Sequence, residues 1–455
     1  MMGIKGMIGL EIHTYISTRE KLFCRCLASR EKGLKSNVNI CPICTGQPGA
    51  KPMAPNLEAV KKSVKIGLML GCEIEKKLIW ERKHYDWPDL PKGYQNTISG
   101  GVRGVGLNGE FAGIGIWEMH LEEDPASWTP ESGCVDYNRS GLPLVEIVTA
   151  PDFTNSEEVI TWIKKLIHSL NYLKAIDSNA GIKVDVNVSI PEKSERVEIK
   201  NLNSLGNIKK AIDYELARQE QDGSEKETRR FDELKGKTIK MRGKEGENDY
   251  RFIDDPDLKE IVLDDKFIMD LKKSLPPSPE IKLAKMIKEF KISKKDADVL
   301  VKNIDIAEFF ERIIESKKIK PEFALPWVSV ELFRLLNYNK VSLGETDIRV
   351  EHFIELLETI RDNKISVLKG KEILKEFYPK SFSVKERIRG EGKISDIEEL
   401  KKICLQIVKE NKKATEDYKS GEKSSFNFLM GQIMKKTNKR ADFDVARKVL
   451  REILD

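Results

Sequence analysis

Ile116-Trp117-Glu118-Met119-His120-Leu121-Glu122-Glu123-Asp124 sets one imidazole and four carboxylates into a short run of aromatic and aliphatic residues. The mixture reads as a β-strand. Four acids packed without a counter-ion repel one another, and a divalent cation or a cationic substrate would relieve that repulsion. A solvated edge strand is the simpler alternative for an acidic run taken by itself. Strict alternation groups Glu118, His120 and Glu122 on one side and leaves Glu123 on the other.

Similar strands lie on either side in the sequence. Gly9-Leu10-Glu11-Ile12-His13-Thr14-Tyr15 alternates Glu11, His13 and Tyr15 against Leu10, Ile12 and Thr14. Val135-Asp136-Tyr137-Asn138-Arg139-Ser140-Gly141-Leu142-Pro143-Leu144-Val145-Glu146-Ile147-Val148 ends in an apolar run, and Glu146 inside it needs a partner if buried. Lys183, Asp185, Asn187 and Ser189 share one face of the next alternating segment, and Val197-Glu198-Ile199-Lys200-Asn201-Leu202 repeats the pattern. Polar faces on several strands of one half predict a concave sheet lined with ligand-binding groups.

The chain has 455 residues, 40% hydrophobic and 34% charged, which predicts a globular protein of two or three domains and excludes a disordered chain. Lys+Arg 79 against Asp+Glu 74 leaves +5, so any basic surface is local. No segment has signal-peptide or membrane-span character, and the expected location is cytoplasmic. Of seven cysteines, four form the pairs Cys24/Cys26 and Cys41/Cys44. In this setting short-spaced pairs favour a closed structural Zn²⁺ site; reduced, unmetallated thiols are the alternative.

Asn56 is placed to cap a helix with Leu57, Val60, Val64, Leu68 and Leu70 on its apolar face. Glu81-Arg82-Lys83-His84-Tyr85-Asp86-Trp87-Pro88-Asp89-Leu90-Pro91-Lys92-Gly93-Tyr94-Gln95 follows, a loop rich in cations, aromatics and proline. It suits a phosphate or a planar base, or else is a surface loop packed by its own rings. Leu275-Pro276-Pro277-Ser278-Pro279 reads as a linker, after which helical periodicity dominates. The expected fold is α+β. A mixed-sheet, cradle-like amino-terminal domain (1–275, with a zinc knuckle at 24–44) precedes a helical domain (280–389) and a small helical tail (393–455), with residues 390–393 as the boundary. In the tail Lys435, Lys436, Lys439 and Arg440 form a basic run.

The words IGLEIH, the two cysteine pairs, RKHYDWPDLPKGYQ, HLEED, DYNRSGLPLVEIV, DVNVS and VEIKNLNS occur in an order similar to that of the GatB family, one component of the tRNA-dependent amidotransferases, and the resemblance spans essentially the whole chain. It implies an ATP- and Mg²⁺-dependent ligase component. By the resemblance, the expected reaction is phosphorylation of the side-chain carboxylate of Asp or Glu misacylated on tRNA-Asn or tRNA-Gln. Ammonia from a glutaminase subunit then gives Asn-tRNA or Gln-tRNA. The resemblance also implies a heterotrimer with an amidase (A) subunit and a small C subunit. By similarity Glu11, His13, Glu123 and Asp185 surround Mg²⁺, while Arg82, Lys83, Tyr85 and Lys92 face ATP or the intermediate. Glu11, His13, Glu123, His120 and Lys92 are the catalytic candidates; Asn138, Arg139, Asn187, Ser189 and Lys200 are further cavity candidates. The tail cations become tRNA contacts. Placing Glu123 beside His13 conflicts with simple alternation, and a strand end or bulge near Leu121 would reconcile them.

Two rivals account for part of this pattern. A non-catalytic zinc RNA-binding protein leaves the acid and histidine faces unused. A metal-dependent hydrolase uses them, yet the sequence has no His-Glu-x-x-His and no nucleophile elbow.

Overall fold

The computed structural model describes residues 4–31, 33–99, 104–177, 181–241, 251–388, 394 and 396–454. The chain divides into two compact units, Met1–Ser278 and Pro279–Asp455. The boundary expected at residues 390–393 lies outside the described residues.

Among the described residues of the first unit a sheet has twelve strands. They are β1 (Met7–Tyr15), β2 (Glu73–Ile74), β3 (Glu81–His84), β4 (Gln95–Thr97), β5 (Gly106–Phe111), β6 (Ile114–Glu123), β7 (Pro143–Thr149), β8 (Ile182–Ser189), β9 (Val197–Leu202), β10 (Glu227–Asp232), β11 (Lys237–Lys240) and β12 (Arg251–Asp254). The main path runs β11-β10-β9-β8-β1-β7-β6-β4-β3-β12, with β5 beside β6 and β2 beside β5. Only β9 and β10 pair in parallel among the described strands, so the sheet is mixed.

One side of this sheet is core. Leu10, Ile12, Leu121, Val145, Ile147, Val184 and Val186 pack with apolar residues of three helices: α1 (Leu57–Met69), α2 (Ser156–Tyr172) and α3 (Leu205–Asp222). β1, β7 and β8 contribute every second residue to this layer, as the pleat requires. The helices begin where short polar side chains satisfy their first free N–H groups. Asn56 accepts from Glu58 and Ala59, Asn155 from Glu158, and Ser204 from Asn207.

The strand register settles which side chains share the other face. Directly paired residues point the same way. His13 pairs with Glu146, which pairs with His120; Glu11 pairs with Val148 and Asp185. Pairing of β6 with β7 runs without interruption from Glu123/Pro143 to Glu118/Val148, and the register shifts only between Val148 and Thr149. The bulge therefore falls at Trp117 and not near Leu121. Glu122 lies on the face of His13, and Glu123 lies on the reverse, as alternation alone requires.

In the second unit the described elements are helices, from Pro279–Lys288 to Phe443–Leu454. Ile304–Glu315 buries Phe309, Phe310 and Ile313, and Asn303 caps it. Helices from Ile397–Glu410 onward enclose their own apolar cluster of Leu400, Cys404, Leu429, Ile433, Val449 and Leu450.

Candidate active site

Among the described residues three donor groups are close enough to hold an ion: Cys24, Cys26, Cys41 and Cys44; His13, Glu122 and Glu146; and Glu11, Asp185 and Glu198. Within each, the ligand atoms lie within 4.8 Å of one another.

The cysteines are unbridged thiols, with Cys41 Sγ 3.9 Å from Cys44 Sγ. The hydrogen bond from Cys24 holds the Cys44 thiol down at about 5 despite burial, with help from the Lys21 ammonium. The same bond and burial push Cys24 up. Four converging sulfurs, one of them readily ionised, fit a closed tetrahedral thiolate site. The knuckle is sewn to the turn before β7. Asn138 Oδ1 accepts from the backbone N–H groups of Val38 and Asn39, both at 2.9 Å, and its Nδ2 donates to Lys35 O at 2.8 Å. Ser140 Oγ donates to Cys44 O at 2.6 Å.

In the second group His13 Nε2 lies 3.6 Å from Glu146 Oε1, while His13 Nδ1 is buried without a hydrogen-bond partner. Glu122 is 2% exposed. Its carboxylate accepts from Thr97 Oγ1 at 2.9 Å and Gln95 Nε2 at 3.0 Å, and Lys83 Nζ is 3.8 Å away. Burial alone would raise Glu146, but the charges of His13, Lys83, His120 and Lys200 outweigh it and hold this carboxyl below its ordinary range. An orphaned buried imidazole nitrogen beside two carboxylates fits a hard divalent cation taking oxygen and nitrogen ligands. His120 flanks the group. Burial pushes its imidazolium down, but the bond to Glu118 at 3.2 Å and the charges of Glu146, Glu118 and Glu122 prevail, raising it to about 9.

The third group adjoins on the same face, two residues along β1. Asn187 Nδ2 donates to Glu11 Oε1 at 3.0 Å, and Lys200 Nζ lies 2.6 Å from Glu198 and 3.9 Å from Asp185. Burial, and then the charge of Glu146, raise the carboxyl of Glu11.

The ligand set expected from the resemblance is thus divided. His13 is in one group, Glu11 and Asp185 in another, and Glu123 in neither. Glu123 is paired with Lys92 and accepts from the N–H of Asn96 at 2.9 Å on the opposite face. Arg82 goes with it, since Arg82 pairs with Asn96 across β3 and β4 and donates to Asp255 and Asp257, both at 3.0 Å. Of the expected ATP-facing cations in this segment, Lys83 lies beside the cation group, while Arg82 and Lys92 do not. Asn138 holds the knuckle backbone through three side-chain hydrogen bonds. Arg139 donates to Asp124 at 2.8 Å and to the carbonyls of Pro125 and Ala126, with Tyr85 within its electrostatic reach. Ser189 Oγ donates to Met7 O at 3.5 Å.

Sequence reasoning left Glu146 and Glu198 unassigned and ranked Glu122 below Glu123. The signal for Glu146 was available: a carboxylate in an apolar strand needs a partner, and register supplies His13.

The tail cations are likewise unequal. Lys435 is exposed. Lys436 pairs with Glu410 at 3.0 Å, Lys439 pairs with Glu372, and Arg440 Nε donates to Thr437 O at 3.4 Å.

Fold and donor groups define a two-part α+β protein whose mixed sheet carries a face of clustered carboxylates and histidine and a cysteine knuckle, followed by a helical unit. Residues 6–269 match the family described as the GatB/GatE catalytic domain, and residues 308–454 match the GatB domain. The chain is 41% identical to the GatB-type component of the aspartyl/glutamyl-tRNA(Asn/Gln) amidotransferase of Methanocaldococcus jannaschii, across 100% of this chain and 99% of the relative. It is also 41% identical to the proteins of that name from Methanopyrus kandleri (98% and 98%) and Methanothermobacter thermautotrophicus (98% and 99%). The chain belongs to the GatB family of aspartyl/glutamyl-tRNA amidotransferase components.

Proposed function

We propose that this chain activates the side-chain carboxylate of Asp or Glu esterified to tRNA-Asn or tRNA-Gln by phosphoryl transfer from ATP, and then directs ammonia onto the acyl phosphate. A carboxylate oxygen bonds to the γ-phosphorus as its bond to ADP breaks. Ammonia then forms the C–N bond, phosphate leaves with the C–O electron pair, and a proton is released. The ammonia comes from a glutaminase (A) subunit, in a complex that also holds a small C subunit.

The convergence of His13, Glu122 and Glu146 carries this reading. Phosphoryl transfer is promoted mainly by positioning and by neutralising charge on the moving group. A Mg²⁺ held there would supply that charge and bind phosphate oxygens. Thr97 and Gln95 fix Glu122, and Lys83 places an ammonium beside it for the nucleotide's phosphates or the acyl phosphate. Glu11, Asp185, Asn187, Glu198 and Lys200 extend the polar face along β1, β8 and β9. The cysteine knuckle holds Zn²⁺ in a structural role. The exposed basic face of the tail contacts tRNA phosphates. No described helix is long and apolar enough to cross a membrane.

The test is ADP release by the chain assembled with its amidase and small partner subunits, with misacylated or uncharged tRNA. ADP formation should require the misacylated species and Mg²⁺, and His13→Ala should abolish it. Amide formation without ATP, or full activity in His13→Ala, would overturn the reading.

A further inference from the structure

The reverse side of the sheet, opposite the cation group, carries a second polar network that the proposed chemistry does not use. Lys92 and Glu123 form an ion pair there, their side chains 15% and 8% exposed. Asn96 ties the pair into place. Its N–H donates to Glu123 Oε1, its Oδ1 accepts from Lys92 Nζ at 2.6 Å, and its Nδ2 donates to Asp255 Oδ2 at 2.6 Å. Arg82 joins Asp255 to Asp257, and Lys51, just past the knuckle, donates to Asp257 at 2.7 Å.

This network reaches the cation group through one short strand. In β4, Gln95 and Thr97 donate to the carboxylate of Glu122, while Asn96 between them donates to Glu123. Gln95 Nε2 also donates to Glu123 O at 2.8 Å, so a single amide bridges the two glutamates. At its other end the network abuts the knuckle. Gly46 (φ +64) leaves no room for a side chain, since an added Cβ would lie 2.2 Å from Pro91 O, next to Lys92.

We propose that Lys92 and Glu123 are positioning residues. Their ion pair, braced by the knuckle at Pro91, holds Glu122 in line with His13 and Glu146 and so sets the affinity of the cation site. The proposal rests on His13, Glu122 and Glu146 being the ligands. A partner that orients a ligand from behind changes metal affinity by roughly 10–100-fold when removed, whereas loss of a ligand removes the site. Glu123→Gln leaves an ammonium facing a neutral amide, and Lys92→Met leaves a carboxylate unpaired; both loosen the end of β6.

The experiment is Mn²⁺ titration of the full chain followed by electron paramagnetic resonance of the free ion, with zinc content and thermal melting measured on each variant. Glu123→Gln and Lys92→Met should each weaken Mn²⁺ binding by about 10–100-fold with unchanged stoichiometry and unchanged zinc. Lys92→Arg should restore most of the affinity. Gly46→Ala, which alters neither charge, should weaken binding in the same direction. If Glu123→Gln removes the Mn²⁺ site as completely as Glu122→Gln does, Glu123 is a ligand and the proposal fails. Unchanged affinity in both Glu123→Gln and Lys92→Met also overturns it. If instead His13→Ala and Glu122→Gln bind Mn²⁺ like the unaltered chain, the ligand assignment is what has failed.

Discussion

Glu122 and Glu123 are consecutive in β6, yet their carboxylates leave the sheet on opposite sides, one toward Thr97 and His13, the other toward Lys92. A peptide step of one residue thus separates a candidate ligand from its support. Glu122→Gln keeps the shape of the side chain and removes its charge, so it should lower tRNA-dependent ADP formation by more than about 100-fold, beyond what loss of an orienting partner costs. Steady-state rates at saturating Mg²⁺ decide the matter. Near-normal turnover would remove Glu122 from the cation.

Asn138 tests whether the DYNRSG turn serves substrate or scaffold. Its amide satisfies two knuckle N–H groups and one carbonyl. Asn138→Ala leaves these unmet, at a cost of about 1–3 kcal/mol. The expected outcome is a lower melting temperature and faster zinc loss to a chelator, with the KM for ATP unchanged. A raised KM at normal stability would return Asn138 to the ligand cavity.

Asp255 supplies the pH dependence. Burial pushes its carboxyl up, but hydrogen bonds from Arg82 and Asn96 and from the N–H of Asp257 prevail and hold it below the ordinary value. A depressed carboxyl contributes stability that is fully present above its unfolded pKa, about 3.9, and is lost as pH falls through the lower folded value. Asp255→Asn should therefore melt below the unaltered chain at pH 7, and the gap should narrow below about pH 4. Calorimetry at both pH values reads this directly, and a gap independent of pH would contradict it.

Much of this architecture was legible because it obeys period two. Leu10 and Ile12 against Glu11 and His13, and Glu118, His120 and Glu122 against Glu123, are sorted by alternation alone. Asn56 announced its helix by type and position. Pairing partners were not legible, because they depend on register between distant strands. Nothing local says that Glu146 meets His13, that Glu198 joins Glu11 and Asp185, or that Asp255 and Asp257 engage Arg82. Glu123 shows the opposite case: the motif set it beside His13, whereas alternation, like the register, sets it on the reverse face. Asn138 and Arg139 are polar residues in a conspicuous motif, and only the fold reveals that both are engaged by backbone groups.

The basic run of the tail separates by what each cation already touches. Lys435 is exposed, whereas Lys439 pairs with Glu372 and its carbonyl accepts from Ser366 Oγ, fixing this turn within the helical unit. A cation that neutralises one phosphate contributes about one unit to the slope of log affinity against log salt. Lys435→Glu should weaken tRNA binding uniformly and flatten that slope by about one, with ADP formation at saturating tRNA unchanged. Lys439→Glu instead sets two carboxylates together at a partly exposed site, destabilising the unit by under about 1 kcal/mol with a smaller change in slope. Filter binding across a salt series, with melting curves alongside, distinguishes the two. Equal slopes for Lys435→Glu and the unaltered chain would move the RNA surface elsewhere on the tail.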